Sequence, residues 1–332
     1  MRRFLIIRLS SIGDIVLTTP VIRCLKQQVP DAEVHVLTKS SFRAVLQHNP
    51  YIDRLHVWDK SYLLLIDQLK QLAFEEVIDL HHNTKTLRIK RDLGVPASSF
   101  YKLNIEKYVL TAFKIHVLPQ KHIVDRYLDT IKHLGVTNDG RGLDYFLSET
   151  DLLTKDDIPG AQWGGFIAVV IGAALGTKRW PKEHFQQLCK ELNHPIVLLG
   201  GKEDRARGEF IASVDPIKIY NACGKFTLNE SADWVRRAKL VITGDTGLMH
   251  IAAAFRKPIV SIWGNTVPAF GMTPYYGAES VNHVMLQHKV WCRPCSKIGY
   301  ERCPLGHFSC MRSIKPEQVL EVVRNTDRPR QN

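Results

Sequence analysis

Short apolar runs alternate with amphipathic stretches along most of this chain. In the first half the runs lie at residues 4–9, 33–38, 54–58 and 76–80, with helical patterns between them. In the second half they lie at residues 166–171, 195–199, 240–243 and 259–263, again with helical patterns between them. Strands that are apolar almost throughout and alternate with helices are typical of parallel sheets covered on both faces. The pattern therefore predicts an α/β fold of two doubly wound domains.

Residues 146–165 interrupt this alternation with an acidic, weakly periodic stretch that contains proline and glycine. Such a composition is typical of a link between domains, and we place the domain boundary there, at 1–155 and 156–332. A last helical pattern at 315–324 lies beyond the second sheet, and we expect it to pack back on the first domain. The polar tail at 327–332 is expected to be disordered.

The 332 residues suffice for two domains that each bury a core, and a composition of 45% hydrophobic and 23% charged residues is ordinary for a globular protein. No segment reaches the roughly 18 apolar residues that a membrane span needs. The start of the chain has leading arginines like a signal peptide, but Arg8 and Asp14 interrupt its apolar run and no small-residue cleavage site follows. We therefore expect a cytoplasmic protein.

The formal net charge of +12 is unusual and favours a polyanionic partner. Four kinds of partner meet that description: nucleic acid, an anionic membrane surface, a phosphorylated glycolipid and a nucleotide. A nucleic-acid-binding module would interleave basic residues with aromatic ones on one face, which this sequence does not show, so we expect no nucleic-acid partner.

Four of the seven cysteines cluster in one segment at residues 291–311, and the other three are scattered. The clustered residues are Cys292, Cys295, Cys303 and Cys310. Four thiols in so short a space could hold a structural zinc ion, or they could be reduced thiols in a turn-rich segment. No companion histidine has the usual finger spacing, and both interpretations stay open.

The turn at residues 244–247 is the strongest candidate for chemistry. It follows an apolar run and opens a helical pattern, so free N–H groups at the helix start would favour an anion such as a diphosphate. Thr246 adds a hydroxyl, and His250 lies one helical turn further on. The alternative is that Asp245 only caps the helix and that His250 belongs to the core.

Three further loops follow predicted strands, where open parallel sheets bind their ligands. Gly13 permits a tight turn at residues 10–14, and Asp14 at the helix start would be ionised near neutral pH, unless it serves only as a cap. Small residues at 172–176 precede Lys178 and Arg179, which supply positive charge for a phosphate. In the loop at 200–204 an acidic residue could accept hydrogen bonds from ribose hydroxyls, or it could serve only as a charge at the start of a helix.

Several common motifs are absent. The sequence has no G-x-G-x-x-G after its first strand and no G-x-x-x-x-G-K-[ST], which disfavours dinucleotide dehydrogenases and P-loop phosphotransferases. A G-x-S-x-G nucleophile elbow is also missing.

Four segments together resemble the signatures of glycosyltransferase family 9, whose best-known members are ADP-heptose:lipopolysaccharide heptosyltransferases. They are RLSSIGDIVLTTP at residues 8–20, KRWP at 178–181, LLGGKEDR at 198–205 and GDTGLMH at 244–250. The cysteine-rich CPLGHFSC at 303–310 also looks like a feature of some members. The resemblance implies a GT-B fold, in which two Rossmann-like domains face each other across a cleft, the first binding the acceptor and the second the nucleotide sugar.

The resemblance also implies roles for individual residues. Asp14 matches the proposed general base, which would take the proton of an acceptor hydroxyl in an inverting, metal-independent transfer. Lys178 matches the lysine that binds the donor phosphate. Thr246 and Gly247 match the phosphate-binding helix start.

The remaining implied positions surround the sugar and the nucleoside. Asp245 and His250 match residues beside the transferred sugar, and Glu203 or Asp204 matches the acid near the nucleoside. The loop that contains Ala173 departs from members with threonine hydroxyls there, so phosphate contact would fall to backbone N–H groups. We expect no cofactor besides the nucleotide-sugar donor, most simply ADP-heptose.

The acceptor side carries no matching motif, and its residues stay unassigned. A basic run at residues 85–91 follows the strand at 76–80 and could meet a phosphorylated sugar chain, although such runs are commonly solvated helix faces. The basic excess suits a lipid-linked or lipopolysaccharide-core acceptor at the inner face of the inner membrane, with peripheral contact to its anionic surface. The alternatives are a family 9 transferase for another nucleotide sugar and a non-catalytic nucleotide-sugar-binding protein.

Overall fold

Two parallel β-sheets organise the two halves of the chain in the computed structural model, which describes residues 1–59 and 61–327. The first sheet has the order β3-β2-β1-β4-β5, and the central strand β1 pairs Ile6 with Val36 on one side and Ile78 on the other. Its strands are β1 (Arg2–Ile7), β2 (Ala32–Lys39), β3 (Arg54–Trp58), β4 (Glu76–Asp79) and β5 (Ala97–Ser99).

The second sheet has six parallel strands in the order β11-β10-β9-β6-β7-β8. Its strands are β6 (Ile167–Val170), β7 (Ile196–Leu199), β8 (Ile219–Asn221), β9 (Leu240–Gly244), β10 (Ile259–Trp263) and β11 (His283–Gln287). Both sheets are doubly wound, so the α/β prediction is confirmed. The exact boundary between the domains at residue 155 stays a prediction.

Helices connect these strands in both halves. The first half contains α1 (Ile12–Val16), α2 (Thr19–Gln28), α3 (Tyr62–Lys70), α4 (Thr84–Leu93), α5 (Asn104–Phe113) and α6 (Ile123–Leu128). The second contains α7 (Lys182–Glu191), α8 (Arg205–Ala212), α9 (Leu228–Arg237), α10 (Gly247–Ala254), α11 (Ser309–Arg312) and α12 (Pro316–Asp327). Short 3₁₀ turns at Ser40–Val45, Gly176–Lys178 and Lys202–Asp204 complete the loops used below.

The first predicted helix is divided in two in the structure. Helix α1 ends near Leu17, and α2 begins with Pro20 in its first turn. A proline there cannot donate a backbone hydrogen bond to the preceding turn, while its fixed φ suits a helix start. The break leaves α1 as a short helix that carries Asp14 at the end of β1.

The C-terminal helix packs differently from our expectation. Helix α12 contacts α7 and β10, and its buried residues Val319, Leu320 and Val323 belong to the apolar core of the second domain. The prediction that this helix packs against the first domain is therefore wrong for the described residues. The apolar face of α12 covers the second sheet, which a three-turn helix at that position can reach without crossing the cleft. The tail predicted to be disordered lies outside the described residues from 328 onward.

The sequence pattern did not predict helix α5, although the candidate site depends strongly on this helix. Its residues Leu103 (the N-cap) and Leu110 are buried together with Leu118 and with Phe270 of the second domain. This small apolar cluster is separate from the cores beneath the sheets, and it ties the first domain to the loop after β10. No described helix is long and apolar enough to cross a membrane.

A buried ion-pair group fixes the segment that leaves the first domain. Arg23 on α2 is fully buried, and its Nε lies 2.7 Å from Oδ2 of Asp139. Its guanidinium also pairs with Asp144 and donates to the carbonyl oxygen of Gly142 at 2.9 Å. These partners compensate the cost of burying the guanidinium charge, and they hold residues 139–144 against α2.

Removing this guanidinium should strongly destabilise the protein. We expect Arg23→Met to lower the free energy of unfolding by about 3–5 kcal/mol, because it leaves two carboxylates without their buried partner. Chemical denaturation of the purified variant measures this change.

The control is Arg2→Met, which removes the exposed ion pair with Glu75. An exposed pair contributes about 0–1 kcal/mol, so this variant should stay close to the unmodified protein. Equal losses from the two variants would contradict the importance of the buried group.

Candidate active site in the interdomain cleft

The starts of two helices, one from each domain, touch at the floor of the cleft. A Cβ at Gly13 on α1 would lie 2.6 Å from Cδ2 of His250 on α10. A Cβ at Gly247 would lie 2.7 Å from Cγ2 of Ile12. Two glycines therefore permit an approach that any larger residue would prevent, and the approach brings the loop after β1 to the loop after β9.

Asp14 lies in the first turn of α1 and faces this junction. Its Oδ2 accepts a hydrogen bond from the Ser11 hydroxyl at 2.7 Å, and its Oδ1 lies 2.7 Å from Nη2 of Arg8. Burial opposes ionisation, but the Arg8 guanidinium and the Ser11 hydrogen bonds outweigh it and lower the pKa of this carboxyl. Asp14 is thus a preformed carboxylate, and it caps α1 as well.

Arg8, which the sequence did not single out as a site residue, holds that carboxylate in place. Its guanidinium is buried and donates to the carbonyl oxygens of Ser10 and Leu80 and to the Tyr127 hydroxyl. With these acceptors fixed by β1, β4 and α6, the remaining Nη2 can point only toward Asp14. A buried arginine at the end of a central strand is the signal that could have identified it.

His250 lies between the two domains, next to Asp14 and to the donor-side residues. It is 2% exposed, and burial lowers its pKa to about 4, although Asp245 and Asp14 act in the opposite direction and Lys178 adds to the lowering. The imidazole is therefore neutral at physiological pH. Its Nδ1 is buried and has no hydrogen-bond partner in the described part of the chain, which is unusual for a core histidine.

On the donor side Lys178 and Asp245 form an ion pair. Nζ of Lys178 lies 2.6 Å from Oδ2 of Asp245, which also accepts from the Thr266 hydroxyl at 3.0 Å. Lys178 ends the 3₁₀ turn after β6, and its carbonyl oxygen would lie 3.1 Å from a Cβ at Gly244. The loops after β6 and β9 are thus packed together, with the ammonium group in the cleft.

The helix start at Thr246 and Gly247 is partly engaged in capping. The Thr246 hydroxyl accepts a hydrogen bond from the N–H of Met249 at 3.4 Å and lies 3.0 Å from the Thr243 hydroxyl. Thr246 therefore caps α10. Because its side chain is used in this way, an anion at α10 would meet backbone N–H groups and the adjacent Lys178 ammonium.

The acidic loop after β7 separates its two carboxylates. Asp204 is 2% exposed and accepts a hydrogen bond from the N–H of Gly201, so it stabilises the loop. Glu203 is exposed and is the acid of this pair that a ligand can reach. The Arg179 guanidinium is bound within its own loop, because it donates twice to the carbonyl oxygen of Ala173.

A basic cluster that the sequence did not indicate surrounds the acceptor side of Asp14. It consists of Lys102, Lys107, Arg126 and Lys297, the last from the cysteine-rich segment of the second domain. Burial lowers the pKa of Lys107 to about 8, and the charges of Arg126, Lys297 and Lys102 add to the lowering while Asp14 opposes it. Lys102 and Lys107 are close in sequence, but Arg126 and Lys297 lie farther along the chain, so no local motif marks the cluster.

His81 completes this side of the cleft. It follows β4, where ligands of parallel sheets commonly bind, and none of the described residues forms a hydrogen bond with its buried Nδ1. Burial lowers its pKa to about 4, and the charges of Arg8 and Lys102 contribute to the same effect. The position after a predicted strand could have identified it from the sequence.

The predicted basic run at 85–91 is mostly a helix surface. Lys85 lies over the Trp58 ring, and Arg88 lies over the Tyr62 ring. Lys90 turns inward to Asp79, with its Nζ 3.0 Å from Oδ2. Apart from Lys90, this run therefore forms the solvated face of a helix, which was the alternative to acceptor binding.

The clustered cysteines form no disulfide bonds in the structure, and their segment packs against the 3₁₀ turn at Gly176–Lys178. Cys292 Sγ lies 3.6 Å from Nε2 of His307, and the backbone of Tyr300 bonds to that of Thr177. Over residues 1–59 and 61–327, no three His, Cys, Asp or Glu side chains converge in a metal-binding arrangement. The structural zinc and the reduced thiols both stay predictions.

Comparisons with known proteins agree with the resemblance in the sequence. A family model described as glycosyltransferase family 9 (heptosyltransferase) matches residues 63–303. Lipooligosaccharide heptosyltransferase 2 of Haemophilus influenzae is 28% identical over 232 residues, which cover 67% of this chain and 62% of that protein. Lipopolysaccharide heptosyltransferase 2 of Escherichia coli is 22% identical over 348 residues, which cover 96% of this chain and 97% of that protein.

Solved structures show the same fold. A glycosyl transferase family 9 protein from Veillonella parvula superposes with a TM-score of 0.76 at 24% identity, covering 98% of this chain and 96% of that one. An Escherichia coli heptosyltransferase with ADP gives a TM-score of 0.69 at 21% identity, covering 97% and 99%. The expected GT-B arrangement is therefore confirmed.

The contact between α1 and α10 gives a test of the cleft floor. We expect Gly13→Ala to lower the free energy of unfolding by about 1–3 kcal/mol, because the added methyl group meets the buried His250 ring. Helix propensity alone would change stability in the opposite direction, by about 0.5–1 kcal/mol. Urea denaturation followed by circular dichroism measures the difference.

Gly160→Ala is the matched control, since a Cβ at Gly160 would meet no atom within 4 Å. It should be neutral or slightly stabilising. A Gly13→Ala variant as stable as this control would mean that α1 and α10 are not tightly packed.

Proposed function

The chain belongs to glycosyltransferase family 9, and from that premise we propose that it transfers heptose from ADP-heptose to a lipopolysaccharide-core acceptor. The curated relatives support this sugar and acceptor through their names, which describe lipopolysaccharide and lipooligosaccharide heptosyltransferases. The structural neighbour with ADP supports an adenine nucleotide donor. The transfer is proposed to invert the anomeric carbon and to need no metal ion.

One observation carries the proposal. The buried His250 ring faces the Asp14 carboxylate of the first domain and the Lys178–Asp245 pair of the second. A carboxylate able to accept a proton and a cation able to meet a phosphate therefore both lie near one neutral imidazole in the cleft. Group transfer from a nucleotide sugar requires this pairing of a base with an anion-binding group.

Asp14 acts as the general base in the proposed reaction. It takes the proton of an acceptor hydroxyl while that oxygen forms a bond to the anomeric carbon of the donor sugar. The bond from the anomeric carbon to the diphosphate oxygen breaks on the opposite face, and the nucleoside diphosphate leaves with the electron pair. Arg8 keeps Asp14 ionised before substrate binds and holds its oxygens in position.

The departing diphosphate is stabilised from the second domain. Lys178 exchanges its contact with Asp245 for a phosphate oxygen, and the N–H groups at the start of α10 face the same anion. Asp245 and Thr266 keep the lysine in place between turnovers. Nδ1 of His250 has no hydrogen-bond partner among residues 1–59 and 61–327, so a sugar hydroxyl is the partner we assign to it. The exposed Glu203 faces the nucleoside.

The acceptor enters over the basic cluster of Lys102, Lys107, Arg126 and Lys297. These groups approach Asp14 from the first domain and the cysteine-rich segment, and they have few compensating carboxylates. Carboxylate or phosphate groups on a saccharide acceptor match such a cluster. The acceptor hydroxyl then lies beside Asp14.

The general-base role is tested with Asp14→Asn, which keeps the size and part of the hydrogen bonding of the side chain. We expect kcat for heptose transfer to fall by about 10²–10⁴-fold, since the amide cannot accept the proton. Binding of ADP, measured by calorimetry, should change little.

Asp151→Asn is a closely matched control, because Ser148 and Asp151 form the same capping arrangement as Ser11 and Asp14 outside the cleft. It should retain full activity. If Asp14→Asn also retains most of its activity, Asp14 is only a helix cap. If the unmodified protein binds nucleotide sugars but transfers no sugar from any member of a donor panel, the protein is a non-catalytic binding protein.

The acceptor side is tested through the pH dependence of Lys107. Its pKa of about 8 means that the ammonium is charged below pH 8 and is lost as the pH rises above it. We expect KM for the anionic acceptor to increase by up to about tenfold from pH 7 to pH 9, because the charged fraction of Lys107 falls by about that factor and a charge-assisted contact is lost. Initial rates with a soluble, deacylated acceptor measure this profile.

Lys107→Arg should flatten the pH profile because arginine stays charged, whereas Lys107→Met should raise KM at every pH. Lys85→Met, on the outer surface of α4, is the control and should leave KM unchanged. An unchanged profile in Lys107→Arg would contradict the assignment.

A further inference from the structure

Exposed apolar side chains are concentrated beside the mouth of the cleft. Of the nineteen large apolar side chains exposed among the described residues, ten lie in two segments, at residues 101–117 and 291–305. Large apolar residues scattered singly on a surface need no explanation, but a cluster marks a site of interaction. Both segments border the basic cluster of the proposed acceptor side.

Helix α5 forms the centre of this surface and has two distinct faces. Ile105 and Tyr108, at positions i and i+3, are 70% and 60% exposed on the outer face. Lys107 and the buried Leu110 lie on the inner face, against Phe270 and the cleft. Phe113, at the last position of the helix, is 63% exposed and contacts the Tyr108 ring. The helix thus presents an apolar side outward and a charged side to the acceptor site.

The cysteine-rich segment extends the same surface from the second domain. Nζ of Lys297 lies 3.4 Å from Oδ1 of Asn104, and Nζ of Lys114 donates to the carbonyl oxygen of Pro294 at 2.8 Å. The segments are therefore joined next to Ile298, which is 68% exposed. We call the exposed apolar side chains of these two segments the α5 surface; its main members are Tyr101, Ile105, Tyr108, Phe113, Ile115, Val117, Ile298 and Tyr300.

The α5 surface is basic as well as apolar. Residues 101–117 contain three lysines and one glutamate, and residues 291–305 contain two arginines, one lysine and one glutamate. Apolar and aromatic side chains interspersed with cations are the composition that binds the interface of an anionic bilayer, where rings lie at headgroup depth and cations meet the phosphates.

We propose that the α5 surface docks on an anionic lipid bilayer, with α5 lying in the plane of the interface. A ten-residue helix is about 15 Å long, too short to cross the roughly 30 Å hydrocarbon core but suited to lying at its edge. The basic excess favours an anionic bilayer over a second copy of this equally basic chain, because two such surfaces would repel each other.

Docking in this orientation connects the membrane to the proposed reaction. The outer face of α5 contacts lipid while Lys107 lies on its inner face, over the Phe270 ring. An acceptor whose lipid anchor stays in the bilayer would then reach the cleft with its saccharide passing directly over the basic cluster. The inference rests on the proposed function only for the lipid-linked nature of this acceptor.

The test is sedimentation of the full-length protein with vesicles. With equal parts of phosphatidylcholine and phosphatidylglycerol the protein should bind, and with phosphatidylcholine alone it should bind at least tenfold more weakly. We expect the double variant Ile105→Ser/Phe113→Ser to lose at least tenfold in affinity for the anionic vesicles, since both side chains are exposed and available to lipid.

The matched control is Leu63→Ser/Leu64→Ser, which removes two equally exposed apolar side chains from α3. Its affinity for vesicles should be unchanged. Equal losses in the two double variants, or equal binding to neutral and anionic vesicles, would overturn the proposal. So would a stable dimer of the unmodified protein that Ile105→Ser/Phe113→Ser converts to a monomer in the absence of lipid.

Activity measurements separate this proposal from the proposed function. With a soluble, deacylated acceptor, the Ile105→Ser/Phe113→Ser variant should keep its kcat and KM, whereas with the acceptor in vesicles its apparent KM should rise about as much as its lipid affinity falls. Vesicle binding by a protein that transfers no heptose would refute the proposed function and leave the docking surface in place. Normal heptose transfer by a protein that does not bind vesicles would refute the docking surface and leave the proposed function in place.

Discussion

The close packing of α1 against α10 is the contact on which the candidate site depends. The absence of side chains at Gly13 and Gly247 allows the first turns of both helices to meet, with His250 and Ile12 filling the space between them. Because each helix follows the carboxyl end of a central strand, this one contact aligns the functional edges of both sheets. Asp14, which belongs to the first domain, thereby shares a cleft with the loop of the second domain that is proposed to bind phosphate.

The charges in that cleft are arranged before any ligand binds. Arg8 is held by acceptors from three elements and keeps Asp14 ionised, so the proposed base does not have to lose a proton first. On the other side Lys178 is neutralised by Asp245, a contact that a phosphate can replace. The imidazole between these groups is neutral because it is buried, and it separates the base from the cation without adding charge.

Helix α5 gives the first domain a role beyond supplying the base. It is fixed to the second domain through Phe270, it directs Lys107 toward Asp14, and it exposes apolar side chains outward. A rigid element with these two faces can bind an anionic surface and an anionic acceptor at the same time. Part of the basic excess of the chain lies in the two segments around this helix, since residues 101–117 have three lysines against one glutamate and residues 291–305 have three basic residues against one glutamate.

The two-domain α/β fold could be predicted from the amino-acid sequence, because apolar strands and amphipathic helices each produce a local periodicity of apolar residues. The sequence also located Asp14 and the 244–250 turn, since functional loops follow parallel strands in order along the chain. Tertiary structure alone decided that Arg8 orients Asp14, that Asp204 stabilises its loop while Glu203 stays exposed, and that α12 packs on its own domain. The lysines around Asp14 likewise come from separate elements. Their juxtaposition depends on how whole elements pack, and no local pattern records that arrangement.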